Sequence, residues 1–245
     1  MWPTLGLVAR EKSDMEASEE TSKLEIEETL EGVSVTLSDG DSGNYLGFSD
    51  ISRIGKVLDD AESAGKKWVL LRQDGSDFCL GREHGRLNDS QRQVLIGLVE
   101  KLQTTNVVTI AAASGRCEAF GVGLFALADI SIAAESTTFR FPEILEGFAP
   151  AIVATWLFDS APYKQALNWI LTGEQFNSEQ ALRYGMATDV VKADQLAAAT
   201  NRVIERLSQI SVEALSSCKG IARVMRENQL DLASRRSISL KWFGK

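Results

Sequence analysis

Hydrophobic and polar residues alternate with a period of two early in this chain and then change to a helical spacing. Leu24-Glu-Ile26 and Val33-Ser-Val35-Thr-Leu37 each place their apolar side chains on one face. This alternation predicts a β-hairpin, and a turn is expected at 38–43, where Ser, Asp and Gly follow one another. Between 49 and 64 the apolar residues recur every three or four positions, which predicts a helix that ends at Gly65.

Strands alternate with helices up to about residue 150, and helices dominate after it. Continuous apolar runs predict strands that are covered on both faces, whereas apolar residues at helical spacing predict helices. Strands are expected at 68–71, 106–113, 129–134, 139–141 and near 187–191, a Gly-rich turn with a short helix at 115–128, and helices at 89–102, 161–172, 178–184, 193–210 and 211–228. The pattern predicts an α/β fold with a helical C-terminal region.

Composition limits the kind of protein that this chain forms. Its 245 residues are 44% hydrophobic, enough for one large core. No apolar run approaches the roughly 20 residues that a bilayer crossing needs, and residues 1–10 do not resemble an export signal. A soluble, cytoplasmic protein without a membrane partner is therefore expected. Three cysteines without CxxC spacing and a single histidine, His84, predict neither a disulfide framework nor a metal site.

The net charge of −8 belongs mostly to one segment. Residues 11–31 contain nine acidic residues and two lysines, and the rest of the chain is nearly balanced. Polar residues rich in Ser and Glu over 1–22 predict a flexible acidic N-terminal arm, because such a composition cannot bury enough apolar surface to become ordered. The chain has no basic stripe with interleaved aromatic residues, so nucleic acid is not an expected partner.

Three segments carry residues that suit a ligand site. Two of them combine glycine with polar residues after a predicted strand, and in the third an acidic residue follows proline among apolar residues. They are Asp77-Phe-Cys-Leu-Gly-Arg-Glu83, Ser114-Gly-Arg-Cys-Glu-Ala-Phe-Gly-Val-Gly123 and Phe139-Arg-Phe-Pro-Glu-Ile-Leu145. Glycines let a ligand approach the backbone, and the free N–H groups at a helix start bind an oxygen that carries negative charge. Each segment alone also fits an ordinary loop, and the glycine spacing matches neither a dinucleotide fold nor a P-loop.

Together the three segments resemble the enoyl-CoA hydratase/isomerase family, also called the crotonase superfamily. Leu171-Thr-Gly-Glu174, Ser178-Glu-Gln-Ala-Leu and Tyr184-Gly-Met186 extend the resemblance, which covers roughly 24–228. It implies a spiral of ββα units over a core at 23–190, and a helical region at 191–245 that forms a homotrimer or a dimer of trimers. It also implies an acyl-CoA substrate and no separate cofactor.

The resemblance assigns roles to particular residues. Two backbone N–H groups form an oxyanion hole in this family, and the matching positions are Arg82 and Phe120. Glu143 matches one of the two catalytic glutamates of a typical hydratase. The substrate-binding positions implied by the motifs are Cys79, Gly81, Gly121, Gly123 and Phe141.

The second glutamate of a typical hydratase is replaced by Gly123. Adding water to a double bond uses two carboxylates in such enzymes, whereas moving a double bond needs one group that removes and returns a proton. An isomerase-type double-bond shift with a single glutamate is therefore favoured. Thioester hydrolysis and halide displacement are disfavoured, because Ala151 stands where those family members have an aspartate.

Other activities stay open at this stage. A hydratase in which Glu118 supplies the second acid, a member that forms carbon–carbon bonds, and a non-catalytic scaffold all fit the same motifs. Asp129 is expected to brace the start of a strand. The cations proposed for the CoA phosphates, since clustered cations suit phosphate, are Lys66, Lys67, Arg82, Arg86 and Lys241.

Overall fold

A computed structural model describes residues 22–37, 44–83, 85 and 87–227. The strands are β1 (Glu25–Glu28), β2 (Gly32–Leu37), β3 (Tyr45–Leu46), β4 (Trp68–Gln73), β5 (Gly81–Arg82), β6 (Val108–Ala113), β7 (Arg116–Glu118), β8 (Ile130–Ala134), β9 (Thr138–Arg140), β10 (Phe176–Asn177) and β11 (Asp189–Val191). The helices are α1 (Phe48–Ser63), α2 (Asp89–Thr104), α3 (Phe120–Leu127), α4 (Ala151–Ser160), α5 (Tyr163–Thr172), α6 (Ser178–Arg183), α7 (Leu196–Ser208) and α8 (Val212–Glu227). Short 3₁₀ turns lie at Pro142–Glu146 and Ala193–Gln195.

The large sheet has six strands in the order β1-β2-β4-β6-β8-β11. The first pair is the predicted antiparallel hairpin, and the other pairings are parallel. A smaller sheet has the order β10-β9-β7, and β3 pairs with β5. Each of β2, β4 and β6 is followed by a short strand and a helix, so the predicted spiral of ββα units is confirmed.

Helices cover the large sheet on both faces. Val69 and Leu71 of β4 join the larger core cluster, which contains residues of α1, α2 and α3. Trp68 and Leu70 of the same strand point the other way and pack in a second cluster with Leu207 of α7 and Leu215 of α8. Because alternate residues of a strand face opposite sides, one continuous apolar run serves both layers.

The predicted helices and long strands are confirmed to within a few residues. The sequence pattern missed α4 and the short strands β3, β5, β7 and β10. Strands of two or three residues are too short to show a period, and they form because a neighbouring segment supplies hydrogen-bond partners. In the described part of the chain, no helix combines the length and apolar character that crossing a membrane requires.

Several sequence predictions lie outside the described residues. They concern the acidic arm up to residue 21, the turn at 38–43, His84, Arg86, and the C-terminal part from 228 to 245, which includes Lys241. Ser22, the last residue of the predicted arm, donates a hydrogen bond to Asp50 of α1 (2.9 Å).

Candidate functional site

Two turns that follow neighbouring strands of the large sheet meet at its carboxyl edge. The first runs from the end of β4 to β5, and the second runs from the end of β6 to the start of α3. Phe78 N–H donates to Arg116 O (2.9 Å), and Glu118 N–H donates to Cys79 O (2.8 Å). These bonds join segments about forty positions apart and bring both predicted oxyanion donors to one place.

The backbone around Gly81 lies close to the start of α3. Gly81 has φ +116°, and a Cβ added there would lie 3.1 Å from Ala119 Cβ and 3.8 Å from Phe120 N. Ala119 has φ 49° and ψ −119°, a combination that costs a residue with a Cβ about 1–3 kcal/mol. Phe120 is the first residue of α3, where backbone N–H groups have no acceptor within the helix. This geometry places Gly81, the residue before Arg82, close to the Phe120 nitrogen. That the N–H groups of Arg82 and Phe120 face one oxygen stays a prediction.

The predicted acid, Glu143, lies beside these turns because β9 pairs with β7. Arg140 is in register with Glu118, and Ala119 N–H donates to Arg140 O (3.0 Å). Glu143 follows in the 3₁₀ turn that begins at Pro142. Its Oε2 is buried and accepts no hydrogen bond from any described residue. A buried carboxyl oxygen without a partner is rare in folded proteins and often marks a functional site.

The surroundings of Glu143 raise the pKa of its carboxyl group. Burial is the main cause, and the negative charges of Glu146 and Glu118 act in the same direction. A backbone hydrogen bond and the positive charge of Arg82 oppose the rise. Burial also lowers the pKa of Arg82, which Glu143 partly offsets. A carboxyl group with a raised pKa exchanges a proton more readily near neutral pH.

The predicted substrate-binding residues surround the same turns. Gly81, Gly121 and Gly123 are buried in the backbone of the site. Cys79 and Phe141 have no exposed surface. Those two side chains would therefore contribute to binding by supporting the backbone beside them rather than by touching a ligand in this conformation.

An apolar side chain occupies the space beside Gly123, where a typical hydratase has its second glutamate. A Cβ added at Gly123 would lie 2.8 Å from Val153 Cγ2, and Val153 of α4 is itself 4% exposed. The second carboxylate is thus absent from the sequence, and the fold has also closed the room that it would need.

Replacing Gly123 by Glu is therefore expected to destabilise the protein by about 1–3 kcal/mol through overpacking. Adding Val153→Ala should recover part of this loss, because it vacates the contacted space. Urea unfolding of Gly123→Glu, of the double variant and of Val153→Ala alone measures the coupling between positions 123 and 153. If Gly123→Glu is equally destabilising with and without Val153→Ala, the proposed clash with Val153 is wrong.

An ion pair holds the two turns together. Asp77 Oδ1 accepts the backbone N–H of Arg116 (2.8 Å), and Asp77 Oδ2 accepts Arg116 Nη2 (2.7 Å). Arg116, mainly by hydrogen bonding, lowers the pKa of Asp77 in spite of burial. Asn44 Nδ2 donates to Asp77 O (2.5 Å) on the other side. The sequence analysis did not predict this ion pair. The available signal was that the two glycine-containing segments carry opposite charges, Asp77 in the first and Arg116 in the second.

Asp77→Ala is expected to lower the free energy of unfolding by about 1–3 kcal/mol, because the Arg116 N–H loses its acceptor. Asp77→Asn keeps that acceptor and should lose less. The pKa of Asp77 is lowered in the folded state, so its stabilisation is complete above the unfolded value of 3.8 and is lost as pH falls below it. Urea unfolding across this pH range should show the acid-dependent loss in the parent protein and a weaker one in Asp77→Asn. An equal acid-dependent loss in both would contradict this role.

The remaining described residues that the sequence analysis singled out lie away from the two turns. Lys66 and Lys67 precede β4, at the edge of the sheet opposite the two turns. Lys66 contacts Thr29 O (2.6 Å), and Lys67 pairs with Glu31 (2.6 Å). The structure therefore does not bring these two lysines to the site. Asp129 Oδ2 accepts Thr109 N–H (2.7 Å) at the start of β6, which confirms its bracing role.

Comparisons with known proteins agree with this geometry. The model of the enoyl-CoA hydratase/isomerase family matches residues 56–245. The mitochondrial enoyl-CoA hydratase domain-containing protein 3 of Mus musculus is 29% identical over 163 residues, which are 63% of this chain and 54% of that protein. The 2,3-dehydroadipyl-CoA hydratase of Escherichia coli is 30% identical over 155 residues, 62% of this chain and 59% of that enzyme. The chain thus spans a little over half the length of these relatives.

A solved structure also resembles this fold. The crystal structure of human enoyl coenzyme A hydratase domain-containing protein 3 superposes with a TM-score of 0.82 and 20% identity, and the match covers 89% of each chain. At this level of identity the likeness supports the fold alone.

Proposed function

Because this chain belongs to the enoyl-CoA hydratase/isomerase family, we propose that it transfers a proton on the acyl part of a CoA thioester through an enolate. Glu143 acts as the acid and base, and the thioester is the substrate with no further cofactor. The observation that supports this best is the buried Oε2 of Glu143, which has no partner among the described residues and lies beside two converging turns.

The two turns supply the groups that stabilise the enolate. The thioester oxygen gains negative charge when a proton leaves the α-carbon, and the N–H groups of Arg82 and Phe120 donate hydrogen bonds to it. Fixed donors of this kind typically contribute about 10²- to 10³-fold each to the rate. The nearness of Gly81 to the Phe120 nitrogen supports a shared oxygen position.

A double-bond shift is the reaction that a single acid and base performs. Glu143 removes a proton from one carbon, and the same carboxyl group returns it two carbons away. Val153 fills the space beside Gly123, so a second carboxylate cannot enter there without repacking. This favours isomerisation over hydration, and a related bond-forming reaction uses the same enolate.

Hydration is the second candidate, because Glu118 is close enough to Glu143 to raise its pKa. Glu118 is the last residue of β7 and is in register with Arg140 of β9. Arg140 lies three residues before Glu143. In this alternative Glu118 binds a water molecule and removes its proton as the oxygen adds to the β-carbon. Glu143 donates a proton to the α-carbon. The E. coli relative, named as a hydratase, is consistent with it.

A panel of CoA thioesters separates the candidates. Isomerisation predicts that 3-enoyl-CoA becomes 2-enoyl-CoA, seen as rising ultraviolet absorbance, and that deuterium from solvent enters the acyl chain. Hydration predicts that 2-enoyl-CoA is consumed with a gain of one water in mass spectrometry. Glu118→Gln should abolish only hydration. A protein with neither exchange nor thioester binding would be the non-catalytic scaffold, which overturns the proposal.

The homotrimer or dimer of trimers is also part of this proposal. Large apolar side chains are exposed in and just after the turn of Glu143 and on α5, namely Leu145 (63%), Phe148 (66%), Tyr163 (65%) and Leu171 (62%). Exposed large apolar side chains support a contact between copies. Sedimentation equilibrium tests the oligomeric state.

The cytoplasmic location stays a prediction, and the mouse relative is named as mitochondrial.

A further inference from the structure

A pocket lies at the amino edge of the large sheet, opposite the turns that carry the proposed oxyanion donors. It has a volume of about 190 Å³ and lies between the end of α2, the end of α3 and one face of α8. The lining includes Thr105 and Asp129, which precede strands β6 and β8, whereas the two turns follow strands β4 and β6. The pocket is therefore separate from the proposed catalytic site.

One face of α8 places three cations in this pocket. Lys219, Arg223 and Arg226 recur at helical spacing and all contribute to the lining, whereas Asp129 is the single acidic residue among the lining residues in the described part of the chain. Lys219 Nζ donates to Asp129 Oδ2 (2.6 Å), an oxygen that also accepts from both the N–H and the hydroxyl of Thr109. The charge of Asp129 is thus engaged by Lys219 and the strand start.

The two arginines meet neutral oxygens within the described residues. Arg223 donates to Thr104 O and to Asn106 Oδ1 (3.4 Å), and Arg226 donates to Gln103 O (3.3 Å). These contacts cap the carbonyl end of α2, which favours positive charge. A guanidinium has five N–H donors, so capping uses only part of their capacity. Burial lowers the pKa of Lys219, Asp129 opposes this change, and the nearby charges of Arg223 and Arg226 add to the lowering.

Gln103 provides an independent sign of a ligand. The residue is 9% exposed and lines the pocket, and its Oε1 is buried without a hydrogen-bond donor among the described residues. Leaving such an oxygen unpaired costs about 1–3 kcal/mol. A bound molecule that combines negative charge with an O–H group would satisfy both Gln103 and the arginines.

We propose that this pocket binds a phosphate group that retains a proton near neutral pH, as inorganic phosphate does. Its charged oxygens face Arg223, Arg226 and Lys219, and its O–H donates to Gln103 Oε1 once the amide turns from its buried position into the pocket. Sulfate has a similar shape and charge but no proton near neutral pH. It should therefore bind more weakly.

Calorimetric titration of the full chain with inorganic phosphate tests the site. One saturable site is expected, and Arg223→Gln and Arg226→Gln should each weaken phosphate binding at least tenfold. Arg183→Gln removes a distant cation that pairs with Glu179 and should leave the affinity unchanged. Gln103→Leu should abolish the preference for phosphate over sulfate. Ala222→Glu, an exposed position at the pocket, introduces a carboxylate and should block binding even if an arginine variant fails to fold.

Several results would overturn the site. They are no saturable phosphate binding to the parent protein, equal losses in Arg183→Gln and Arg226→Gln, or arginine variants that melt earlier yet bind phosphate normally. Competition by CoA would show that the pocket holds the nucleotide of the substrate and would overturn its separateness. The titration measures phosphate binding and needs no turnover. Its result therefore does not depend on whether the proposed reaction is correct.

Discussion

Replacing Glu143 by Gln is expected to lower kcat by about 10²- to 10⁴-fold while the affinity for a CoA thioester changes little. The amide fits the same space but cannot accept the α-carbon proton. The proposed oxyanion donors are backbone groups, so thioester binding should survive. Solvent deuterium exchange into the acyl chain measures the loss, and equilibrium binding of a CoA thioester measures what remains.

The pH profile of this activity has a predictable sign. The carboxylate form removes the proton, so activity should rise with pH through the pKa of Glu143, which lies above its ordinary value of 4.5. Glu146→Gln removes an exposed negative charge that contributes to this rise and should move the profile to lower pH. It is also the matched control, because Glu146 lies in the same 3₁₀ turn as Glu143 and has no role in the proposed reaction. Unchanged turnover in Glu143→Gln would contradict the role of Glu143 as the acid and base. A pH profile that stays the same in Glu146→Gln would also contradict it.

Replacing Gly121 by Ala is expected to lower kcat by about 10²- to 10³-fold, the effect of losing one oxyanion donor. A Cβ at Gly121 would lie 2.3 Å from Cys79 O, a backbone atom that cannot move alone because it accepts the N–H of Glu118. The two turns must separate to make room, which also separates the two amides. A loss of stability of about 1–3 kcal/mol should accompany the change.

Gly97→Ala is the control for this substitution. Gly97 lies within α2, and a Cβ added there would have no neighbouring atom within 4 Å beyond its own helix backbone. Alanine in a helix interior is favoured over glycine by up to about 1 kcal/mol, so this variant should be as stable or more so and fully active. Steady-state kinetics and urea unfolding of both variants provide the comparison. A Gly121→Ala protein with normal kcat would show that the amides do not depend on this close contact.

Local patterns predicted the elements well, and long-range contacts explain what they missed. The hairpin of β1 and β2 and the helix α1 follow from spacing within a dozen residues. By contrast, β5 and β7 have two and three residues, and they form because β3 and β9 lie alongside them. The motif order likewise predicted Glu143 for the site, and the pairing of β9 with β7 brings its segment to the glycine turns. By contrast, nothing near residue 123 indicated that Val153 fills the adjacent space.

The sequence alone determined the α/β class, the family, the position of Glu143 and the absence of a glutamate at 123, because these depend on residue type and on spacing along the chain. Only the tertiary structure decided that Gly81 lies against Phe120, that Asp77 pairs with Arg116 and that three cations of α8 meet at the end of α2. Each of these contacts joins segments separated by some forty to more than one hundred positions. Such contacts arise from the order in which strands enter the sheet, and no local period in the chain encodes that order.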